Sequence, residues 1–147
     1  MYFCSENKFV MITESAIERL TSRAIRPSLQ RIAVMQYLLE NRTHPTAEQI
    51  FTDLQADIPT LSRTTVYNTL KLLCEKGAVL MLDIDQRQTH YDGDISLHGH
   101  FLCTKCGRIE DIFHEDCECL LRFAPQDAEV KDIQLLYKGV CKYCKNN

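Results

Sequence analysis

Two Cys-x-x-Cys pairs, Cys103/Cys106 and Cys141/Cys144, limit what this chain can fold into more than any other feature. A Cys-x-x-Cys turn lets two thiolates grip one ion, and two such turns complete a tetrahedral shell of sulfur. The N-terminal stretch MYFCSENKFVMITES has no basic region followed by an apolar run. It therefore does not read as a secretory signal, and a cytoplasmic location is expected. There, spaced pairs favour metal over disulfides. The expectation is one structural Zn²⁺ per subunit, held by all four thiolates, on which a small C-terminal domain depends to fold. Gly107, directly after Cys106, permits the tight backbone of such a knuckle. A redox pair would need a low-pKa thiol, often at a helix N-terminus, whereas both pairs border strand patterns. Cys4, Cys74, Cys117 and Cys119 fit no ligand pattern, and Cys74 lies beside an apolar helical stripe, where it reads as core.

A second metal chemistry lies beside the first. His98 and His100 alternate, so in an extended strand they share a face. Asp111 falls on the next strand pattern, which the intervening knuckle folds back alongside, and Asp92 sits on the approach. This mixed nitrogen–oxygen set suits Fe²⁺, Mn²⁺ or Zn²⁺ rather than a thiolate-preferring metal. Surface histidines on a strand are the plainer alternative. His90 and His114 have no comparable partners by spacing.

At 147 residues the chain is long enough for one ordinary domain or two small ones. No run approaches a membrane span, so no membrane association is expected. The formal charge of −3 argues against a broadly basic nucleic-acid coat, but leaves room for a small basic patch.

The first half reads as four helices. Thr13 is placed as an N-cap, with Ile12 and Ile17 as a staple; Ile17, Leu20 and Ala24 form the stripe, and the helix stops before Arg26-Pro27. Ser28 caps the second, with Ile32, Met35 and Leu39 at helical spacing. Thr46 and Gln49 form a capping-box pattern for the third, whose buried face is Ile50 and Leu54. Ser62 caps the fourth, which buries Val66, Leu70 and Leu73 and stops at Gly77. Thr64, Tyr67, Asn68 and Lys71 fall largely outside that stripe. Residues 78–92 then read as two strands about a turn at 85–87. That order of elements is a winged helix-turn-helix, which puts one helix in the DNA major groove.

Beyond Gly93 the pattern changes to strands at HGHFLC and RIEDIF, a helix over Asp116–Phe123 and a strand over Glu129–Tyr137. The expected fold is α+β, with a winged helix-turn-helix domain over 1–92 and a small α/β domain carrying the four-cysteine site over 93–147.

RPSLQR at 26–31, HPTAEQIF at 44–51, TTVYNTLKLL at 64–73, YDGD at 91–94, HGHFLCTKCGRIEDI at 98–112 and GVCKYC at 139–144 together resemble the ferric uptake regulator (Fur) family of metal-dependent repressors. The resemblance runs over nearly the whole chain. It implies a homodimer, with the second domain dimerising and the first binding an inverted-repeat operator. It also adds His44, which spacing alone does not find, to Asp92, His98, His100 and Asp111 as the regulatory metal site, filled by Fe²⁺ or Mn²⁺. A metal held from both sides of the hinge would favour one relative orientation of the domains. On the DNA side, Tyr67 matches a recognition-helix tyrosine expected at thymine methyls, and Arg26 a basic position that reaches the minor groove. Thr64 and Asn68 share the recognition helix. Arg63 is a base or phosphate contact; for Arg26 and Arg63 the alternative is an ordinary solvated charge.

Aspartate at 111 and the spacing from HYD to HGH resemble the peroxide-sensing (PerR-like) branch; iron-sensing members commonly carry glutamate there. Leu97 and Gly99 stand where many members place the extra histidines of a further site, so no such site is expected. The alternatives are an iron- or zinc-uptake regulator without peroxide sensing, a non-haem iron enzyme built on a facial triad, and a zinc-ribbon scaffold that binds only proteins.

Overall fold

Short polar side chains set the helix starts in the first half of the molecule. The computed structural model describes residues 15–113 and 122–146. Within them α1 covers 15–22, α2 Leu29–Glu40, α3 Ala47–Gln55 and α4 Arg63–Glu75. Ser28 accepts from the Arg31 N–H, and Ser62 from the Thr65 N–H. Thr46 and Gln49 make both halves of a capping box. The cap expected at Thr13, with Ile12, lies outside the described residues. Helix α1 ends in paired bonds from Ile25 N–H to the Leu20 carbonyl and from Ala24 N–H to the Thr21 carbonyl, with Ala24 at φ +56°.

The helices enclose one apolar core of Leu20, Met35, Ile50, Val66, Leu70 and Leu73 with their neighbours. The stripe expected on α4 is the one buried. On α2 the buried face is Val34, Met35 and Leu38, while Ile32 and Leu39 only flank the core. On α3 it is Ala47, Ile50 and Phe51, with Leu54 partly buried. In both helices neighbouring helices cover an arc offset from the one the spacing suggested. Burial pushes the thiol of Cys74, packed against this core, up to about 11.

Strands β1 (Leu80–Leu82) and β2 (His90–Asp92) pair antiparallel, with Leu80 opposite Asp92. Asp85 accepts from the Arg87 N–H in the turn between them. The wing is tied to the start of α3 by a bridge between Thr46 and His90 and by the Tyr91 N–H on the Pro45 carbonyl.

Two compact units divide between Ile95 and Ser96. Gly93 stays with the first because its carbonyl accepts from Arg19 Nη1, which also binds the Ala78 carbonyl. A Cβ on Gly93 would lie 2.6 Å from the Leu38 carbonyl oxygen in α2. Helix backbone cannot yield as a side chain can, so Gly93→Ala is expected to cost about 1–3 kcal/mol. Urea denaturation of the full chain would measure this, and an unchanged midpoint would refute it.

The second unit is a three-stranded sheet in the order β4-β3-β5, with β3 Gly99–Cys103, β4 Ile109–Ile112 and β5 Leu135–Gly139. The pairing is antiparallel with β4 and parallel with β5. The last strand starts at Leu135, not at Glu129, because its length is set by the partner strand: Gly99 meets Leu135 and Cys103 meets Gly139. A short helix, α5 (Lys142–Lys145), follows. The helix expected over Asp116–Phe123 lies outside the described residues except for its last two. Among the described residues no helix is long and apolar enough to cross a membrane.

Candidate metal centres and the exposed face of helix α4

Sheet pairing assembles the thiolate site. Cys103 ends β3, and Cys106 lies in the turn that follows, closed by the Gly107 N–H on the Cys103 carbonyl. Gly107 sits at φ +73°, a conformation that disfavours a side chain. The Thr104 N–H donates to the Gly139 carbonyl at 2.8 Å, which draws the second pair alongside. Cys141 caps α5 and Cys144 lies within it. The second pair borders β5 as expected, and it also straddles a helical turn. The four sulfurs lie within 4.8 Å of one another, and Cys106 Sγ is 3.8 Å from Cys141 Sγ. A tetrahedral ion with bonds of about 2.3 Å to sulfur needs edges of about 3.8 Å, so the cluster fits zinc. The backbone N–H groups of Cys141 and Cys106 draw the Cys103 thiol down to about 6. Cys144, donating toward Cys141 and Cys106, is pushed up to about 12. Four convergent sulfurs from two turns, rather than one pair, separate this arrangement from a dithiol redox site.

The nitrogen–oxygen donors form two groups, one in each unit. In the second, His100 pairs across the sheet with Asp111. His98 Nε2 lies 3.3 Å and His100 Nε2 3.4 Å from the same Asp111 oxygen, Oδ1. Both imidazoles are buried. His98 Nδ1 is 2.7 Å from the Ser96 carbonyl, which can only accept. In the neutral ring the lone pair is therefore on Nε2, aimed at a carboxylate oxygen. Either a proton on Nε2 or a metal cation between nitrogen and oxygen can join the two groups. Donors bound to a metal at about 2.1 Å stand about 3.0–3.4 Å apart, which these separations match. His98 precedes the strand rather than lying in it; the 57° tilt between the two rings still leaves their centroids 4.6 Å apart.

In the first unit, buried His44 Nε2 stands 3.5 Å from Asp92 Oδ2. His44 has φ +55°, a strained backbone for any residue with a side chain and unusual before proline. Such strain collects where function fixes a side chain. His90 holds this loop, its Nδ1 donating to the His44 carbonyl at 2.7 Å while Nε2 faces Asp85 at 3.7 Å. That supporting role for His90 leaves no trace in local spacing. His114, Cys4, Cys117 and Cys119 lie outside the described residues.

Helix α4 presents Thr64, Tyr67, Asn68 and Lys71 to solvent, with Tyr67 51% exposed. Arg26 and Asn68 border one polar cavity of about 560 Å³, together with Ser28, Gln30, Arg31 and Thr65. Arg63, at the first position of α4, is no free charge. Its Nε donates to both Glu48 oxygens and its Nη2 to Oε1 at 2.8 Å, while the guanidinium lies 4.5 Å from the Phe51 ring centroid. The hydrogen bond from Arg63 holds the Glu48 carboxyl below its ordinary range. The partners Glu48 and Phe51 were not apparent from the sequence because the pairing crosses from α3 to α4.

A winged helix joined to a sheet that gathers four thiolates, with histidine–carboxylate pairs on both units, defines a metal-dependent regulator. The chain belongs to the ferric uptake regulator family, whose match spans residues 22–137. It is 33% identical over 135 residues to the peroxide-responsive repressor PerR of Staphylococcus aureus (strain Mu50), covering 90% of this chain and 91% of that protein. The fold is similar to the ferric uptake regulator of Helicobacter pylori, with a TM-score of 0.71 at 22% identity, covering 90% of this chain and 93% of that one. It is also similar to the regulator of Francisella tularensis solved with iron, with a TM-score of 0.67 at 25% identity, covering 82% and 95%. These relatives are regulators, so the non-haem iron enzyme reading falls away.

Proposed function

We propose that this chain is a cytoplasmic, homodimeric transcriptional repressor that binds inverted-repeat DNA when Fe²⁺ or Mn²⁺ occupies a site built from His44, Asp92, His98, His100 and Asp111. The observation that carries the reading is the single Asp111 oxygen faced by two buried imidazoles. The His44–Asp92 pair is too few ligands for an ion, and the second unit's triad leaves coordination positions open, so one ion taking donors from both would link the units. Its affinity for the linked state would set the population that binds DNA. When bound, the metal would place a divalent charge among these nitrogen and oxygen donors, and a ferrous ion would also supply electrons to peroxide. Zn²⁺ is proposed at Cys103, Cys106, Cys141 and Cys144. The first unit, through Ile95, is assigned to DNA binding through Arg26, Arg63, Thr64, Tyr67 and Asn68, and the second, from Ser96, to dimerisation.

Duplexes captured from a randomised pool by Mn²⁺-loaded, Fe²⁺-loaded and metal-stripped protein test this reading. The metal forms are expected to enrich a two-fold symmetric motif, with affinity falling as salt rises, and the stripped protein none. The S. aureus relative's name points to peroxide as the signal. Peroxide treatment of the Fe²⁺ form is expected to add one oxygen atom to His44 or His98 and release DNA, as read by mass spectrometry and fluorescence anisotropy. Unmodified histidines with DNA retained would reject peroxide sensing.

A further inference from the structure

Arg63 and Glu48 form a unit that a solvated charge would not need. A guanidinium has five N–H donors in a planar fork. Glu48 occupies the side-on edge, Nε and one hydrogen of Nη2, at 2.8–3.1 Å. Phe51 supports the plane from below. Among the described residues Nη1 has no hydrogen-bond partner. The end-on edge, Nη1 with the second hydrogen of Nη2, therefore stays open. Arg63 opens α4, and Tyr67 follows one helical turn later, so the two side chains leave the same side of the helix. The group exposed there is an arginine already oriented, with its outer edge turned to solvent.

That arrangement suits one ligand better than another. A phosphate contact needs net positive charge and tolerates a flexible side chain, and a carboxylate locked to the guanidinium cancels that charge. A base edge needs direction. Guanine presents O6 and N7 to the major groove at the spacing of an arginine fork. We infer that Arg63 reads one guanine in each half of the operator, and that Glu48 is a positioning residue that fixes the orientation of the fork. This rests on the proposed DNA-binding reading and names the base at which this helix discriminates.

Selection from a randomised duplex pool with Mn²⁺-loaded full-length protein tests it, comparing wild type with Arg63→Ala, Arg63→Lys and Glu48→Gln. All three change exposed side chains, and circular dichroism should show each folded. Wild type is expected to enrich a symmetric motif with a fixed guanine in each half. Arg63→Ala should lose preference at that column alone, roughly ten-fold or more in guanine over adenine. Arg63→Lys, lacking the fork, should not restore it. Glu48→Gln should relax the same column while binding non-operator duplex more tightly, an outcome that merely structural damage would not give. A motif unchanged in Arg63→Ala overturns the inference and leaves the repressor reading standing. So does uniform weakening across all sequences with a shallower salt dependence, the mark of a phosphate contact. If wild type enriches no motif, both readings fall.

Discussion

Replacing Cys144 with serine is expected to remove one equivalent of zinc from each chain and unfold the second unit. Among the described residues, the buried hydrophobic side chains of that unit are Cys103 and Cys141, and every other one belongs to the first. A three-stranded sheet with so little apolar burial cannot offset the entropy of ordering its backbone. A structural zinc contributes roughly 10–16 kcal/mol of apparent binding energy in small domains, enough to decide the balance. Cys103→Ser should act in the same way, since Cys103 ends the central strand and its sulfur accepts the Cys141 N–H at 3.3 Å. The α1–α4 core lies wholly within the first unit, so helical circular dichroism should survive while amide protection in β3 is lost. Metal analysis and hydrogen exchange on the full chain read both effects. A folded, zinc-free wild type would overturn the assignment.

What could be read from the sequence follows the range of the interactions. Ser28, Thr46 and Ser62 each bond a backbone N–H three residues on, so their cap patterns name real helix starts. The wing was equally legible, because its turn at Asp85 is local. The start of β5 was not, since Leu135 becomes strand only through its parallel partner Gly99, far away in the chain. The turn of α5 carries no cap pattern in its sequence, because its cap, Cys141, makes no side-chain cap bond. Among the site residues, the cysteine pairs carry their spacing with them, and His98, His100 and Asp111 are linked by a short knuckle. His44 meets Asp92 only once the wing has closed on α3, so nothing near it in the sequence identifies it. It came from resemblance to the family.

Asp111→Ala is expected to abolish metal-dependent DNA binding while leaving the zinc content and fold intact. The carboxylate lies on β4 opposite His100, where it can also reach His98. Its loss removes the anionic member of the second unit's donor set, and with it the group that would balance a divalent charge among buried imidazoles. Buried charge without such balance is costly, so the two histidines alone should hold Mn²⁺ or Fe²⁺ poorly. The side chain is half-buried at the sheet edge and is separate from the cysteine cluster, so the knuckle should still fold. Removing a ligand is expected to weaken Mn²⁺ binding by at least the roughly 10–100-fold known for lost outer partners of metal sites. At fixed metal concentration the DNA-bound fraction should fall accordingly. Isothermal titration with Mn²⁺ and anisotropy on the selected duplex read the two steps separately. Unaltered Mn²⁺ affinity would remove Asp111 from the site. Weakened Mn²⁺ binding with DNA affinity unchanged would break the link between metal and DNA.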